Sequence, residues 1–164
     1  MITLRSQSIE QTHEIATAIA GLVRARDLIV LAGEMGAGKT AFTVGFARAM
    51  GVHGDEHVSS PTFTLVHTYE TGRLPIHHAD LYRLNSLGEV ADLGLREQVD
   101  LGAVGIVEWG NVAGDVLGDV LTLHFEHDLE NDNARTVTVS VTGHQWDTRW
   151  ERLREALRPW SVAS

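Results

Sequence analysis

The segment of residues 27–40 reads DLIVLAGEMGAGKT. Its first half is a continuous apolar run without alternation, which is typical of a strand buried on both faces of an α/β sheet. Its second half holds Gly33 and Gly38 in the spacing G-x-x-x-x-G-K-T. A helix is predicted to leave directly from this loop over residues 39–50 and to end at Gly51. A buried strand, a glycine-rich loop and a helix in this order predict a loop that binds phosphate groups.

The loop also contains Lys39, the only lysine among the 13 lysine and arginine residues of the chain. An ammonium on a flexible stem suits the β and γ phosphates of a nucleotide, and the hydroxyl of Thr40 suits Mg²⁺. The sequence therefore predicts binding of a nucleoside triphosphate with Mg²⁺, against the alternative of a glycine-rich turn without a ligand. ATP is favoured over GTP, because guanine is usually recognised by an Asn-Lys-x-Asp element, which needs a second lysine.

Two carboxylates follow strand-like segments and are candidates for metal binding and hydrolysis. Glu108 stands after the apolar residues of GIVEWG (105–110), at the edge of the sheet where α/β proteins bind ligands. Asp80, in HHADLYRL (77–84), is predicted to hold Mg²⁺ through water or to orient the attacking water. The alternatives are a solvent-exposed glutamate at position 108 and an aspartate at position 80 that caps the following turn.

A third candidate is a hydroxyl in the segment SSPTFTL (59–65). Pro61 fixes the local backbone, and Thr62 follows it in a loop where a hydroxyl can sense a γ-phosphate, as switch loops do. The alternative interpretation of this segment is simply the start of a strand.

The rest of the chain predicts further strands and amphipathic helices. A second unalternating strand over 103–110 is expected beside the first, at the centre of the sheet. Alternating segments on either side of short polar turns predict two hairpins toward the edges. The remaining predictions are a strand at 2–6, a helix from Ser8, hairpins of 61–70 with 73–82 and of 119–127 with 135–143, one or two short helices at 86–99, and an amphipathic helix at 147–157. The predicted fold class is α/β.

Composition limits the class of protein. With 164 residues and 43% hydrophobic content, the chain is predicted to be a single domain, 1–164. The net charge of −9 disfavours direct, tight binding of RNA or DNA. Because the sequence has no cysteine, no signal-peptide core and no apolar stretch of about 20 residues, a cytoplasmic protein without membrane contact is expected. Trp146, Trp150 and Trp160 are expected to pack the last helix rather than to stack on bases.

Several segments, in this order, resemble the TsaE (YjeE) family of small bacterial P-loop ATPases, which are needed to make threonylcarbamoyladenosine beside the anticodon of certain tRNAs. The matching segments are GEMGAGKT (33–40), SSPTFTLVHTY (59–69), HHADLYRL (77–84), EVADLGLREQV (89–99) and IVEWG (106–110). The phosphate loop is common to many families, whereas its serial combination with SPT-[FY]-TL, DLYRL and EW is specific. The resemblance implies a P-loop NTPase-like three-layer sandwich, whose mixed sheet has a parallel centre and antiparallel edge hairpins.

The resemblance also implies roles for individual residues. It places Thr40 and Glu108 at Mg²⁺, where Asp80 is a further candidate. Lys39, Asp80 and Thr62 form the implied catalytic set, with Asp80 as the carboxylate needed for hydrolysis. The residues implied around the nucleotide are Gly36, Ala37, Gly38, Lys39, Thr40 and Ala41 at the phosphates, with Ser8, Thr12 and Arg135 nearby.

By the same resemblance, the chain hydrolyses ATP poorly alone and acts on a partner pair, the threonylcarbamoyl transferase TsaD and its paralogue TsaB, so that tRNA is met only indirectly. Two other functions stay open: a small-molecule or nucleoside kinase with the same loop, and a nucleotide-dependent binding module. A kinase normally needs an acceptor pocket and a closing lid with several arginines, and no Arg-rich lid segment stands out.

Overall fold

The computed structural model of the chain describes residues 1–34, 36–54, 58, 66–81, 86–108 and 117–162. The strands in these ranges are β1 (Ile2–Ser6), β2 (Leu28–Gly33), β3 (Val66–Tyr69), β4 (Ile76–Asp80), β5 (Val104–Glu108), β6 (Val120–His127) and β7 (Arg135–Thr142). The helices are α1 (Ile9–Ala20), α2 (Lys39–Ala49), α3 (Leu87–Asp92), α4 (Leu95–Asp100) and α5 (Trp150–Ala156), and a 3₁₀ turn follows at Arg158–Trp160. No helix within these ranges is both long enough and apolar enough to cross a membrane.

The strands form a sheet in the order β1-β7-β6-β2-β5-β4-β3. The central strands β6, β2, β5 and β4 run parallel. On one side β7 is antiparallel to both β6 and β1, and on the other side β3 is antiparallel to β4. Every residue of β5 is buried, and β2 is buried up to Gly33, where it meets the loop. An uninterrupted apolar run is what a strand needs when helices cover both of its faces. The predicted mixed sheet with a parallel centre and antiparallel edge hairpins is confirmed.

Helices cover both faces of the sheet. On one face α1, α2 and α5 enclose a core that includes Ile19, Phe42, Phe46, Leu123 and Leu153. On the other face α3 and α4 pack on the sheet through a smaller core that includes Val90, Leu95, Val99, Val30 and Val107. The predicted three-layer sandwich is confirmed, since each helix layer buries its apolar side against the sheet.

Two connections show how single residues shape the elements. Residues 86–99 contain two helices, because Gly94 between them has a φ of +62°, a left-handed conformation that ends one helix and starts the next. The β3–β4 hairpin was expected to turn at 71–72, but residues 70–75 join its strands. Within this connection the guanidinium of Arg73 donates to the carbonyl of Ala20 at 2.7 Å, which ties the segment to the end of α1.

A buried ion pair fixes α5 to the start of β2. Arg149 donates from Nη1 to Oδ2 of Asp27 at 2.6 Å and from Nη2 to Oδ1 at 2.8 Å, and both side chains are enclosed. Trp146 is buried beside them, with its ring centroid 3.9 Å from the guanidinium carbon. Trp150 and Trp160 pack against the core of the same face. The expected packing role of these tryptophans is confirmed.

Replacing Arg149 by methionine is expected to destabilise the fold by about 3–5 kcal/mol, because the buried Asp27 carboxylate then loses its charged partner. Urea unfolding followed by circular dichroism measures this loss. The double variant Asp27→Leu/Arg149→Met should recover part of it, since both charges are removed. Arg158→Met is the control, because its ion pair with Glu155 is exposed and contributes less than about 1 kcal/mol. Equal losses in the two single variants would contradict a specific role of the buried pair.

Candidate nucleotide-binding site

The loop between β2 and α2 depends on glycine at two positions. Gly33 ends β2 with a φ of +131°, and a Cβ there would collide with the carbonyl oxygen of Phe125 on β6. Gly38 precedes α2 with a φ of +114°, a left-handed conformation that turns the chain into the helix. The loop therefore passes close to the sheet and presents the N-terminus of an 11-residue helix, with its amide N–H groups and positive partial charge, at the edge of the sheet.

Lys39 is the first residue of α2 and is only 5% exposed despite its charge. Its Nζ donates to the carbonyl oxygen of Gly33 at 2.7 Å, which folds the side chain back across the loop. Burial lowers the pKa of this ammonium, while the negative charges of Glu108 and then Asp80 act in the opposite direction. The single lysine of the sequence thus lies inside the loop, with both candidate carboxylates within electrostatic reach.

The two candidate carboxylates are neighbours on adjacent parallel strands. Asp80 at the end of β4 is in register with Glu108 at the end of β5. Both therefore point to the same face of the sheet, which is the face of Ile106 and the larger core. Glu108 is 2% exposed, so the alternative of a solvent-exposed glutamate at this position is excluded.

A chain of buried hydrogen bonds holds Glu108. Nε2 of His78 lies 2.8 Å from Oε2 of Glu108, and Nδ1 of the same ring lies 3.0 Å from the hydroxyl of Tyr69. His78 has no exposed surface, and Tyr69 is 3% exposed. Because a carboxylate only accepts, Nε2–H of the imidazole donates to Glu108, and Nδ1 pairs with the tyrosine hydroxyl.

The oxygen donors beside Lys39 suit a hard divalent cation. Thr40 is exposed on the first turn of α2, and the carboxylates of Glu108 and Asp80 stand at the ends of neighbouring strands. Hydroxyl and carboxylate oxygens are ligands that Mg²⁺ accepts, usually together with water and phosphate oxygens. This donor set fits Mg²⁺ that is held jointly by the protein and a nucleotide.

A pocket of about 350 Å³ opens beside the loop. This volume lies within the usual range of small-molecule sites, about 300–1,000 Å³. The pocket joins the start of α1 to the loop and to the turn before β7. Its lining contains five of the residues predicted from the sequence, Ser8, Thr12, Gly38, Ala41 and Arg135, together with Gln7, Ile9, Glu10 and Asn133.

The hydroxyls at the start of α1 have structural partners. Ser8 is the N-cap of the helix, and its Oγ accepts from the backbone N–H of Gln11 at 3.1 Å. Thr12 is buried, and its hydroxyl is hydrogen-bonded to that of Ser6 at 2.8 Å. These bonds hold the start of α1 in place as one wall of the pocket.

Arg135 is the first residue of β7 and reaches the phosphate loop. Its Nη2 lies 3.4 Å from the carbonyl oxygen of Gly36, a residue 99 positions away in the sequence, and its Nη1 donates to the carbonyl of Ala134 at 2.9 Å. The structure therefore brings a guanidinium against the loop, and the position of Arg135 near a nucleotide stays a prediction.

Not every site residue was predicted, and one prediction cannot be located. Thr62 lies outside the described residues, so its role stays a prediction. No site role was predicted for Ile9, Tyr69 and His78. His78 has a signal that could have revealed it: it precedes Asp80 by two positions on a buried strand, so it shares the face of that carboxylate and needs a polar partner.

Known proteins are similar to the chain in sequence and in fold. The sequence model of the family described as Threonylcarbamoyl adenosine biosynthesis protein TsaE matches residues 6–137. The tRNA threonylcarbamoyladenosine biosynthesis protein TsaE of Bacillus subtilis (strain 168) is 35% identical over 149 residues, which are 91% of each chain. The protein of that name from Rickettsia conorii (strain ATCC VR-613 / Malish 7) is 31% identical over 159 residues, 96% of this chain and 87% of its own. The crystal structure of Bacillus subtilis YdiB is also similar, with a TM-score of 0.75 and 29% identity, over 94% of this chain and 97% of YdiB.

Proposed function

The chain belongs to the TsaE family, and on this premise we propose that it binds ATP with Mg²⁺ at the β2–α2 loop, hydrolyses the ATP, and so serves the threonylcarbamoylation of adenosine in tRNA. The observation that carries the proposal is the position of Lys39. Its ammonium is buried at a helix N-terminus, and the carboxylates of Glu108 and Asp80 lie within electrostatic reach. A buried cation beside two carboxylates is the arrangement that a bound triphosphate and its metal require.

The loop supplies the groups that bind the phosphates. The amide N–H groups at the start of α2 and the partial charge of the helix attract an anion. Burial disfavours the charged form of Lys39, so a phosphate placed beside it stabilises the ammonium. The adjacent pocket of about 350 Å³, with Ile9 and Ala41 in its lining, offers space for the nucleoside.

Three residues would hold the metal: the hydroxyl of Thr40, the carboxylate of Glu108 and, through water, that of Asp80. When bound, Mg²⁺ neutralises negative charge on the β and γ phosphates. The protein then has to hold the reacting groups in line. The ends of β4 and β5 suit this task, because paired strands of a buried sheet keep their side chains at fixed positions.

In the proposed reaction, Asp80 accepts a hydrogen bond from a water and turns its oxygen toward the γ-phosphorus. A bond forms between the water oxygen and the phosphorus, and the bond from phosphorus to the β–γ bridging oxygen breaks. ADP leaves with the electron pair, and the proton of the water passes to the released phosphate. Lys39 stabilises the negative charge on the phosphate oxygens, and Thr62 is proposed to sense the γ-phosphate.

Slow turnover of the isolated chain, and stimulation by the TsaB–TsaD pair, are part of the proposal. Arg135 donates to the backbone carbonyl of Ala134 and lies against that of Gly36, at the rim of the pocket. An arginine supplied by a partner contributes about 10³–10⁵-fold to kcat in P-loop enzymes. The net charge of −9 supports a protein that acts through other proteins rather than by gripping tRNA.

The proposal predicts that phosphate release from ATP is slow with the chain alone and rises at least about tenfold when TsaB and TsaD are added, because the pair completes the site. Steady-state phosphate release measures both rates, with the pair alone as the control. Parallel reactions with small-molecule and nucleoside acceptors test the alternative. A phosphorylated acceptor would identify a kinase, and a rate that the pair leaves unchanged would contradict the assigned partners.

A further inference from the structure

The hydrogen bonds that end at Glu108 cross three neighbouring strands. Tyr69 belongs to the edge strand β3, His78 to β4 and Glu108 to β5. All three side chains are buried on the same face of the sheet, since the register pairs Tyr69 with Ile76 and His78 with Ile106. A polar path therefore leads from the edge of the sheet to the carboxylate beside the phosphate loop.

We propose that His78 is a positioning residue of this site: its Nε2–H holds one oxygen of the Glu108 carboxylate, and Tyr69 holds the ring. The inference rests on the proposed function, because it concerns the carboxylate assigned there to Mg²⁺. His78 touches neither nucleotide nor metal and acts only through Glu108.

Packing alone does not account for a histidine at this position. The neighbouring positions on this face of β4 and β5 are Ile76, Val104 and Ile106, all fully buried in the apolar core. A buried imidazole among them is unfavourable unless both ring nitrogens have partners. The structure provides a partner for each, at 2.8 Å and 3.0 Å, and one of these partners is the candidate metal ligand. We conclude that this histidine serves the contact with Glu108 and does not merely fill the core.

The contact with Glu108 also determines that Nε2 carries a proton. A carboxylate only accepts, so Nε2–H donates to Glu108, while Nδ1 pairs with the hydroxyl of Tyr69. With Oε2 held in this way, the carboxylate has less freedom to rotate, and the direction of its second oxygen is restricted. Hydrogen-bonded partners of metal ligands typically change metal affinity about 10–100-fold when they are removed.

The adjacent histidine provides a matched control. His77 lies on the opposite face of β4, where its Nδ1 is 3.0 Å from the hydroxyl of Thr68. It belongs to the same strand as His78, but the structure gives it no contact with Glu108 among the described hydrogen bonds. Substitutions at position 77 therefore report what any change of histidine in this strand does to the protein.

The test compares His78→Gln with His78→Asn. The side-chain amide of glutamine reaches about as far as Nε2 and retains a donor for Glu108, whereas that of asparagine reaches only as far as Nδ1. At saturating ATP, the Mg²⁺ concentration for half-maximal turnover should rise about 10–100-fold in His78→Asn and stay near the wild-type value in His78→Gln. ATP binding in EDTA should be the same in both variants. His77→Asn and His77→Gln should match the wild-type protein in each measurement.

A second measurement requires neither nucleotide nor metal. NMR of protein labelled with ¹⁵N-histidine should show a proton on Nε2 of His78, identified by the signal that His78→Gln lacks. Glu108→Gln should shift this signal, and Tyr69→Phe, which keeps the ring packing, should shift the Nδ1 signal of the same ring. A wild-type ring without a proton on Nε2 would overturn the inference.

The outcomes separate the inference from the proposed function. If the wild-type protein bound ATP with Mg²⁺ and His78→Asn required no more Mg²⁺ than wild type, the inference alone would fail. Equal losses in His78→Asn and His78→Gln, with weaker ATP binding in EDTA, would indicate a purely structural histidine and would also overturn it. If the wild-type protein bound no ATP, the proposed function would fail, and the inference with it.

Discussion

The Lys39→Ala protein is expected to hydrolyse ATP about 10²–10³-fold more slowly than wild type, even with TsaB and TsaD present. The ammonium is buried in the loop, and its removal takes away the charged donor that is proposed to hold the β and γ phosphates. Lys39→Arg should also be impaired, because the flat guanidinium does not fit where a compact ammonium folds back to the carbonyl of Gly33. The effect is thus expected to depend on shape as well as on charge.

Phosphate release measures the loss of turnover, and urea unfolding shows whether the variant is still folded. Arg48→Ala is the control, since it removes a positive charge from the exposed last turn of the same helix. Turnover by Lys39→Ala at the wild-type rate, in a folded protein, would show that the loop does not hold the reacting phosphates.

For Asp80→Ala, retained ATP binding with turnover lowered about 10²–10⁴-fold is expected. Asp80 is proposed to orient the attacking water, so its loss should affect the transition state far more than the bound substrate. Its place at the end of β4, in register with Glu108, puts the carboxylate beside the loop but does not make it part of the loop. Binding and turnover should therefore separate in this variant, whereas they fall together in Lys39→Ala.

ATP affinity by calorimetry and single-turnover phosphate release measure the two quantities for Asp80→Ala. Asp92→Ala is a suitable control, because Asp92 is exposed at the end of α3, over the opposite face of the sheet. An equal loss of affinity and turnover would refute the role assigned to Asp80.

The centre of the fold could be predicted because its signal is local. Residues 28–32 and 104–107 are continuous apolar runs, and only strands covered on both faces bury such runs completely. The hairpin of β6 and β7 follows from alternation. The β3–β4 connection, by contrast, makes a contact from Arg73 to Ala20, which is 53 positions away. Contacts of this kind leave no pattern in a short window of sequence.

In the candidate site, too, local motifs could be predicted and long-range contacts could not. Lys39 and the glycines could be identified because the motif itself carries their chemistry. Asp80 and Glu108 could each be placed at the end of a strand, but their pairing depends on the register of strands that meet only in the folded protein. For His78 the sequence offers only its place two positions before Asp80, because its partner Glu108 is 30 positions away and meets it only in the folded sheet. The functional roles of these residues stay predictions until they are measured.

The central claim is that the loop with its single lysine binds the phosphates of a nucleoside triphosphate. Isothermal titration calorimetry of the purified chain with ATP and excess Mg²⁺ tests it most directly. We expect a saturable heat with one nucleotide per chain, which Lys39→Ala abolishes. No saturable heat with ATP or GTP, for the chain alone or with TsaB and TsaD, would contradict it.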